Sequence, residues 1–144
     1  MNIDQIKAQA DIDTINNPSN LDEESIKIPQ VHNKYLCILM DEKIVLEALE
    51  SKLKLLRRDK WLYYSGKMSE EELKQKGWKP FDLNILKQEV DRFIDSDIDV
   101  INLSNKVFVQ KEKVNYIESV IKIISNKIWN IRANIDWIKF TQGI

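Results

Sequence analysis

The sequence is poor in the residues that build disulfides, metal sites and tight turns. Its 144 residues include one cysteine, Cys37, and one histidine, His32. A single cysteine excludes an internal disulfide, and these two residues are too few for a zinc site of the usual kind. Three glycines and three prolines leave little material for the many turns of a β-sandwich. An all-α fold is therefore predicted.

Long hydrophobic runs are also missing from the chain. No uncharged apolar stretch approaches the roughly 18 to 20 residues that span a bilayer. The N-terminal sequence MNIDQIKAQADID has neither the basic start nor the apolar core of a signal peptide. We therefore expect a cytoplasmic protein that does not bind membranes.

The motifs that would carry catalysis or bind cofactors are incomplete. Ser-Gly-Lys at residues 65–67 resembles the end of a phosphate-binding loop, but Trp61 stands where that loop needs a glycine. The alternating aspartates of residues 95–99 resemble the start of a calcium loop, but Val100 occupies the position of its glycine. The 23 carboxylates show no spacing that brings two of them into an enclosed pocket. No metal, cofactor or enzymatic activity is predicted.

Charge is unevenly distributed in a chain whose formal net charge is only -1. Residues 51–67 contain six basic residues against one acidic residue, Asp59. A local excess of this kind attracts a polyanion even when the whole molecule is nearly neutral. Residues 51–67 are therefore a candidate binding surface.

The first thirty residues differ in pattern from the rest of the chain. Residues 1–30 contain two prolines and no sustained hydrophobic period, so they are predicted to be flexible or loosely packed, with a short helix near residues 3–10. Leucines then recur at three, four or seven residues, which predicts a long amphipathic helix over about residues 33–64. Ser65 and Gly66 provide its C-cap.

Two shorter helices are predicted after this turn. The capping box from Ser69 to Glu72 starts the first of them, and Gly77 ends it. Asp82 is a suitable N-cap for the second, whose buried face follows three- and four-residue steps. That face consists of Leu83, Leu86, Val90 and Phe93. A further helix either restarts within residues 95–99 or simply continues through them.

The C-terminal third carries the clearest repeat in the chain. Aliphatic residues alternate steps of three and four, which predicts a supercoiled helical interface. The stripe consists of Val114, Ile117, Ile121, Ile124, Ile128, Ile131, Ile135 and Ile138. Isoleucine at both core positions favours assemblies of more than two helices, so a homo-oligomer is expected. The alternative is a monomeric bundle that buries the stripe internally.

Cations and aromatic rings alternate near the end of the long predicted helix. At about 100° per residue, Arg57, Lys60, Trp61 and Tyr64 fall on one face. Single-stranded nucleic acid needs this combination, because cations neutralise the backbone while flat rings stack on unpaired bases. The candidate phosphate contacts are Lys54, Arg57, Arg58, Lys60 and Lys67, and the candidate stacking groups are Trp61, Tyr63 and Tyr64. In the alternative interpretation, the rings belong to the core and the cations form a solvated face.

Four stretches of the sequence resemble one known family. They are KLLRRDKWLYYSGK, EELKQKGWKPFDL, DSDIDV and QKEKVNYIESVIKIISNK, and they resemble the UvsY family of phage recombination mediators over about residues 22–144. The most specific part is a basic, any, basic, apolar string at residues 58–61, before Tyr-Tyr-Ser-Gly at residues 63–66. It matches the DNA-contacting motif of the family, with the cation types exchanged and with Trp61 where leucine is usual.

The resemblance implies a non-enzymatic accessory factor in phage homologous recombination, repair and recombination-dependent replication. Such a mediator binds single-stranded DNA, weakens its coat of phage single-strand-binding protein and helps a RecA-like phage recombinase to load. The resemblance also implies a ring-like homo-oligomer of roughly six or seven subunits, that is, a hexamer or heptamer with closed rotational symmetry.

Three regions follow from these expectations. Residues 1–30 form a flexible or loosely packed N-terminal segment, residues 31–104 a helical region that binds single-stranded DNA, and residues 105–144 a C-terminal oligomerisation helix. The competing hypothesis is a structural coiled-coil scaffold or adaptor, whose basic face meets an acidic protein and which does not bind DNA.

Overall fold

The computed structural model describes residues 1–143, which form helices and connecting turns without a β-strand. The helices are α1 (Ile3–Asp13), α2 (Leu21–Tyr64), α3 (Glu70–Lys76), α4 (Val90–Asp95) and α5 (Ile98–Gln142). The prediction of an all-α fold with long helices is confirmed.

The chain divides into two compact units. One unit consists of Met1–Ile44 and Lys111–Ile144, and we call it the isoleucine unit. The other consists of Val45–Gln110, and we call it the ion-pair unit. The candidate nucleic-acid residues all belong to the ion-pair unit, whereas the aliphatic stripe belongs to the isoleucine unit.

Helix α1 begins at a capping box and contributes to a core. The Asn2 side chain accepts a hydrogen bond from the Asp4 amide at 2.6 Å, and the Gln5 side chain accepts one from the Asn2 amide at 3.1 Å. Ile6 and Ala10, one turn apart, are buried. The segment expected to be loosely packed thus packs through these two positions, which are too few to appear as a hydrophobic period in the sequence.

Helix α2 starts earlier than predicted. It begins at Leu21 and continues through Pro29, which lacks the N–H group of an interior helical hydrogen bond. Ile28 and Val31, on either side of the proline, pack against the core of the isoleucine unit. Because these contacts anchor the helix before and after Pro29, the helix continues through the proline.

The predicted turn after α2 is confirmed. Gly66 has a φ of 75°, a left-handed conformation that glycine adopts without steric cost. The Lys67 amide donates to the Leu62 carbonyl at 2.9 Å, as in a Schellman motif. Ser69 then caps α3 by accepting a hydrogen bond from the Glu72 amide at 3.3 Å, and α3 ends at a left-handed glycine as predicted.

The second short helix starts later than predicted. Helix α4 begins only at Val90, and Leu83 and Leu86, predicted to be buried, are 64% and 68% exposed. The Phe81 ring packs against the Tyr64 ring, with 4.9 Å between centroids. This contact holds the chain in a non-helical path before α4.

The core of the isoleucine unit lies among α1, the first part of α2 and the C-terminal part of α5. The Tyr35 hydroxyl donates to Asp13 at 2.8 Å, so the one large polar side chain of this core is satisfied. The buried cluster contains Ile6, Ala10, Tyr35, Ile117, Val120 and Ile124. Apolar packing therefore dominates this unit.

The aliphatic stripe of α5 is divided by this core. Its buried members are Val114, Ile117, Ile124 and Ile131, while Ile121 is half-buried and Ile128, Ile135 and Ile138 are exposed. The first part of the stripe is thus covered by the chain itself, as in the bundle alternative. Apolar side chains are exposed on two sides of the last turns of α5, isoleucines on one side and aromatic rings on the other. We call them together the C-terminal apolar face, which consists of Ile128, Trp129, Ile135, Trp137, Ile138 and Phe140.

Candidate nucleic-acid interface

The cationic face at the end of α2 meets an acidic segment of the same unit. Arg57 Nη2 lies 3.0 Å from Asp95 Oδ1. Lys60 Nζ lies 3.1 Å from Asp97 Oδ2 and 3.0 Å from Asp99 Oδ2. The three aspartates that resemble a calcium loop in the sequence are therefore partners of cations.

Lys60 is the predicted phosphate contact that the structure places differently. Its side chain is only 5% exposed, and its ammonium lies 3.8 Å from the centroid of the Trp78 ring. A buried ammonium needs partner charges, here those of Asp97 and Asp99, because the transfer of an ion out of water is costly. In this conformation Lys60 supports the surface from inside and does not present its charge to solvent.

Asp97 connects the end of α2 to the start of α5. Its carboxylate accepts a hydrogen bond from the Tyr64 hydroxyl at 2.6 Å, and it accepts from the amides of Asp99 and Val100 at 2.9 and 3.3 Å. Asp97 is thus the N-cap of α5. The helix restarts here, which resolves the join that the sequence leaves open.

Hydrogen bonding sets the protonation states of this buried group of side chains. Burial alone would raise the pKa of Asp97, but hydrogen bonds from Tyr64 and Lys60 outweigh it and hold the pKa below its ordinary value. The pKa of Tyr64 is raised, first by burial and then by its hydrogen bond to Asp97. At neutral pH, Asp97 is therefore ionised and Tyr64 is protonated.

Tyr63 and Tyr64, two of the candidate stacking groups, belong to a cluster of rings. The Tyr63 ring contacts those of Tyr64 and Trp78, with centroids 5.0 and 5.3 Å apart, and its hydroxyl donates to the Lys79 carbonyl at 2.6 Å. The cluster consists of Tyr63, Tyr64, Trp78, Phe81 and Phe93. Both tyrosines are half-buried and tie the end of α2 to the chain that follows α3.

The remaining candidate residues reach solvent. Lys54 is exposed and forms no ion pair with any residue that the structure describes. The Arg58 side chain is 65% exposed, and that of Arg57 is 41% exposed. The Trp61 ring is half-buried, with part of it packed against the apolar cluster of Val90, Ile94 and Val100. The Lys67 ammonium lies 4.7 Å from its centroid. The four cations form a surface around the Trp61 ring, and we call it the α2 surface.

Asp59 and Lys76 are constituents of the site that sequence reasoning missed. The buried Asp59 carboxylate accepts from Arg58 Nη2 at 3.1 Å and from Lys76 Nζ at 2.7 Å. Burial alone would raise the pKa of Asp59, but the bonds from Lys76 and Arg58 lower it. The sequence shows only that Asp59 is the single acidic residue in the basic stretch of residues 51–67, and this does not predict which cation pairs with it.

Neither a metal site nor a membrane span occurs in the part of the chain that the structure describes. Residues 1–143 contain no group of three His, Cys, Asp or Glu side chains arranged to hold a metal ion. None of their helices combines the length and the apolar character needed to cross a bilayer.

Comparisons with known proteins give matches over nearly the whole chain. The family model described as "Recombination, repair and ssDNA binding protein UvsY" matches residues 5–144. The lattice type IV crystal structure of the bacteriophage T4 recombination mediator protein UvsY aligns with a TM-score of 0.85 at 15% identity, covering 97% of this chain and 99% of that chain. The lattice type II structure of the same protein aligns with a TM-score of 0.81 at 16% identity, covering 99% and 98%. No curated protein matches the chain.

Proposed function

Because the chain belongs to the UvsY family of recombination, repair and single-stranded-DNA-binding proteins, we propose that it is a recombination mediator. It binds single-stranded DNA, destabilises the coat of single-strand-binding protein and promotes loading of a RecA-like recombinase. It acts without catalysis in phage homologous recombination, repair and recombination-dependent replication, in the cytoplasm of the infected host.

The observation that carries this proposal is the α2 surface. Lys54, Arg58 and Lys67 present cations to solvent, which suits them to phosphate oxygens. Trp61 lies among them and offers a ring to an unpaired base. Arg57 joins this set when a phosphate replaces Asp95, because an exposed ion pair is worth little.

The other three candidate residues act by positioning the α2 surface. Lys60 is bound to Asp97, and Tyr64 donates to the same carboxylate. Tyr63 is bound to the backbone after α3. These contacts fix the last turns of α2, so that the outward cations keep a constant spacing along the strand.

Self-association supplies the affinity that one small surface lacks. The C-terminal apolar face exposes two tryptophans and a phenylalanine, large side chains whose burial between copies of the chain would be favourable. We assign it to contacts between copies of the chain in a ring-like hexamer or heptamer. Repeated α2 surfaces then bind several segments of one strand, which raises avidity without new contacts and displaces the coat protein.

A structural scaffold that does not bind DNA is the second candidate function. The observation that favours it is that Arg57 and Lys60 are already paired with carboxylates of their own unit. Such a scaffold would oligomerise through the C-terminal apolar face but would show no affinity for oligonucleotides at moderate salt.

Fluorescence anisotropy with a short oligonucleotide across a salt series separates the two functions. We expect binding that weakens as salt increases, and the double variant Lys54→Ala/Arg58→Ala should flatten the slope by about 1.4 for each protomer in contact, at about 0.7 per phosphate. The control is Lys87→Ala/Lys122→Ala, which removes two exposed charges outside the surface. An unchanged slope in the first variant would remove these residues from the interface, and no binding at all would favour the scaffold.

A further inference from the structure

A cleft lies between the end of α2 and α3, beside the α2 surface. Its volume is about 440 Å³, within the range of small-molecule and cofactor sites, which is roughly 300 to 1,000 Å³. Its lining combines the half-buried apolar side chains of Leu62 and Met68 with polar side chains from α3. The cleft therefore offers both apolar and hydrogen-bonding groups to a ligand.

Two cations stand at the cleft and share one anchor. Arg58 and Lys76 both bind the buried carboxylate of Asp59, which leaves these three side chains with one net positive charge. Glu72 brings the formal charge of the whole lining to zero, so the attraction for phosphate comes from the two cations themselves. The side chains of Arg58 and Lys76 are 65% and 41% exposed, so donors remain for a ligand. Because a guanidinium has five N–H donors and an ammonium has three, each cation can hold Asp59 and a phosphate at once.

The rest of the lining suits a nucleobase. Leu62 and Met68 offer apolar surface to a ring face, and a methionine adapts its shape to the group it contacts. Glu72 and Gln75 offer carboxylate and amide groups to the hydrogen-bonding edge of a base. A base within a duplex has its edge and faces occupied by pairing and stacking, whereas an unpaired base has them free.

We propose that this cleft binds one unpaired base of the single strand, with Arg58 and Lys76 on the phosphates that flank it. The proposal rests on the proposed binding of single-stranded DNA and adds a base-dependent contact to it. Lys76 becomes a phosphate contact, Met68 and Leu62 form the base-binding wall, and Asp59 is a positioning residue that holds both cations at the cleft. Trp61, outside the cleft, stacks on a different base.

The test compares two oligonucleotides of equal length, an oligothymidylate and an abasic strand with the same phosphates. Binding of each is measured by fluorescence anisotropy across a salt series. Met68→Ala should reduce the preference for the strand with bases by roughly fivefold, the size of one modest stacking contact, without changing the salt slope. Lys76→Ala should flatten the slope for both strands by about 0.7 per protomer in contact and leave the preference unchanged.

Two further variants keep the outcome decisive. Lys74→Ala removes an exposed charge from the same helix without touching the cleft and should alter neither quantity. Gln75 is exposed, so Gln75→Ala should leave the fold intact. Like Met68→Ala, it should reduce the preference for the strand with bases over the abasic strand. If both Met68→Ala and Gln75→Ala retain the wild-type preference, the cleft is not a base site. If the wild-type protein binds neither strand, this would instead contradict the proposed function itself.

Discussion

The two units of this molecule bury charge in different ways. In the isoleucine unit, the buried cation Lys127 donates to the carbonyls of Asp13 and Ile15 at 2.8 and 3.3 Å and pairs with the Glu24 carboxylate at 3.4 Å. In the ion-pair unit, the buried cation Lys60 lies between two carboxylates and over a tryptophan ring. The buried cation therefore holds a helix end mainly through backbone carbonyls in one unit. In the other it lies between two carboxylates, beside the apolar cluster of Val90, Ile94 and Val100.

This difference explains where the proposed DNA surface is built. An apolar core tolerates substitutions of similar volume, whereas a buried ion pair fails when one partner is lost. The Lys60–Asp97 pair fixes the last turns of α2 within the ion-pair unit. A surface whose cations must keep their spacing is better supported by directional contacts than by aliphatic packing alone.

The largest expected effect is that of breaking the central pair of the ion-pair unit. Lys60→Met leaves the Asp97 carboxylate, only 6% exposed, without its buried cation, and should lower the free energy of unfolding by about 3 to 5 kcal/mol. Lys54→Met, on the exposed side of the same helix, should change it by less than about 0.5 kcal/mol. Urea unfolding followed by circular dichroism measures both. Equal losses in the two variants would mean that the pair does not organise this unit.

The next effect tests the aliphatic stripe of the isoleucine unit. Ile117, which is fully buried, should cost about 2 to 5 kcal/mol when replaced by alanine, since a cavity remains. Ile135, on the C-terminal apolar face, is 39% exposed, and Ile135→Ala should cost the protomer less than about 1 kcal/mol. Thermal unfolding at low protein concentration compares them. Similar costs at both positions would contradict the division of the stripe.

Acid should act on the ion-pair unit through Asp97. Its pKa in the folded protein lies below the ordinary 3.8, so its contribution to stability is fully present above about pH 4 and is lost as the pH falls through the folded-state value. Asp97→Asn should be less stable at neutral pH and should lose less further stability on acidification. Unfolding midpoints between about pH 7 and about pH 2 give the comparison. If the unfolding midpoint of Asp97→Asn falls with pH as steeply as that of the wild type, Asp97 is not the source of the acid sensitivity.

The smallest effect concerns the competition between phosphate and the acidic segment. The exposed pair of Arg57 and Asp95 is worth about 0.2 to 1 kcal/mol, so Asp95→Asn should raise the affinity for single-stranded DNA by up to about fivefold. The control, Asp91→Asn, removes an equal charge from an exposed position in the same unit. Matching increases in the two variants would indicate a general charge effect and not the release of Arg57.

Local patterns of sequence predicted the parts of the fold that depend on near neighbours. The turn at Gly66 and the cap at Ser69 involve residues a few positions apart, and both are confirmed. The aliphatic steps of α5 likewise predicted a long helix. The family resemblance carried by residues 58–66 is confirmed by the match over residues 5–144.

The orientation of the candidate site could not be predicted in the same way. Lys60 and Tyr64 find their carboxylate partner 37 and 33 residues away, and no periodicity encodes such a pairing. Helical spacing alone placed Lys60 on one face with Trp61, but it did not show that the acidic segment covers part of that face. The sequence also left open whether the chain itself or its copies cover the α5 stripe, because the two buried positions of α1 are too few to show as a pattern.

Lysine acetylation, read by mass spectrometry with and without a single-stranded oligonucleotide, separates lysines that contact DNA from lysines that support the α2 surface from inside. We expect Lys54 and Lys67 to react in the free protein and to be protected by the oligonucleotide, while exposed Lys87 and Lys122 stay reactive. Lys60 should react slowly in both states, because its ammonium is enclosed. If Lys60 reacts freely and is protected by DNA, with Lys54 and Lys67 unaffected, then Lys60 and not the outward cations of the α2 surface contacts the strand.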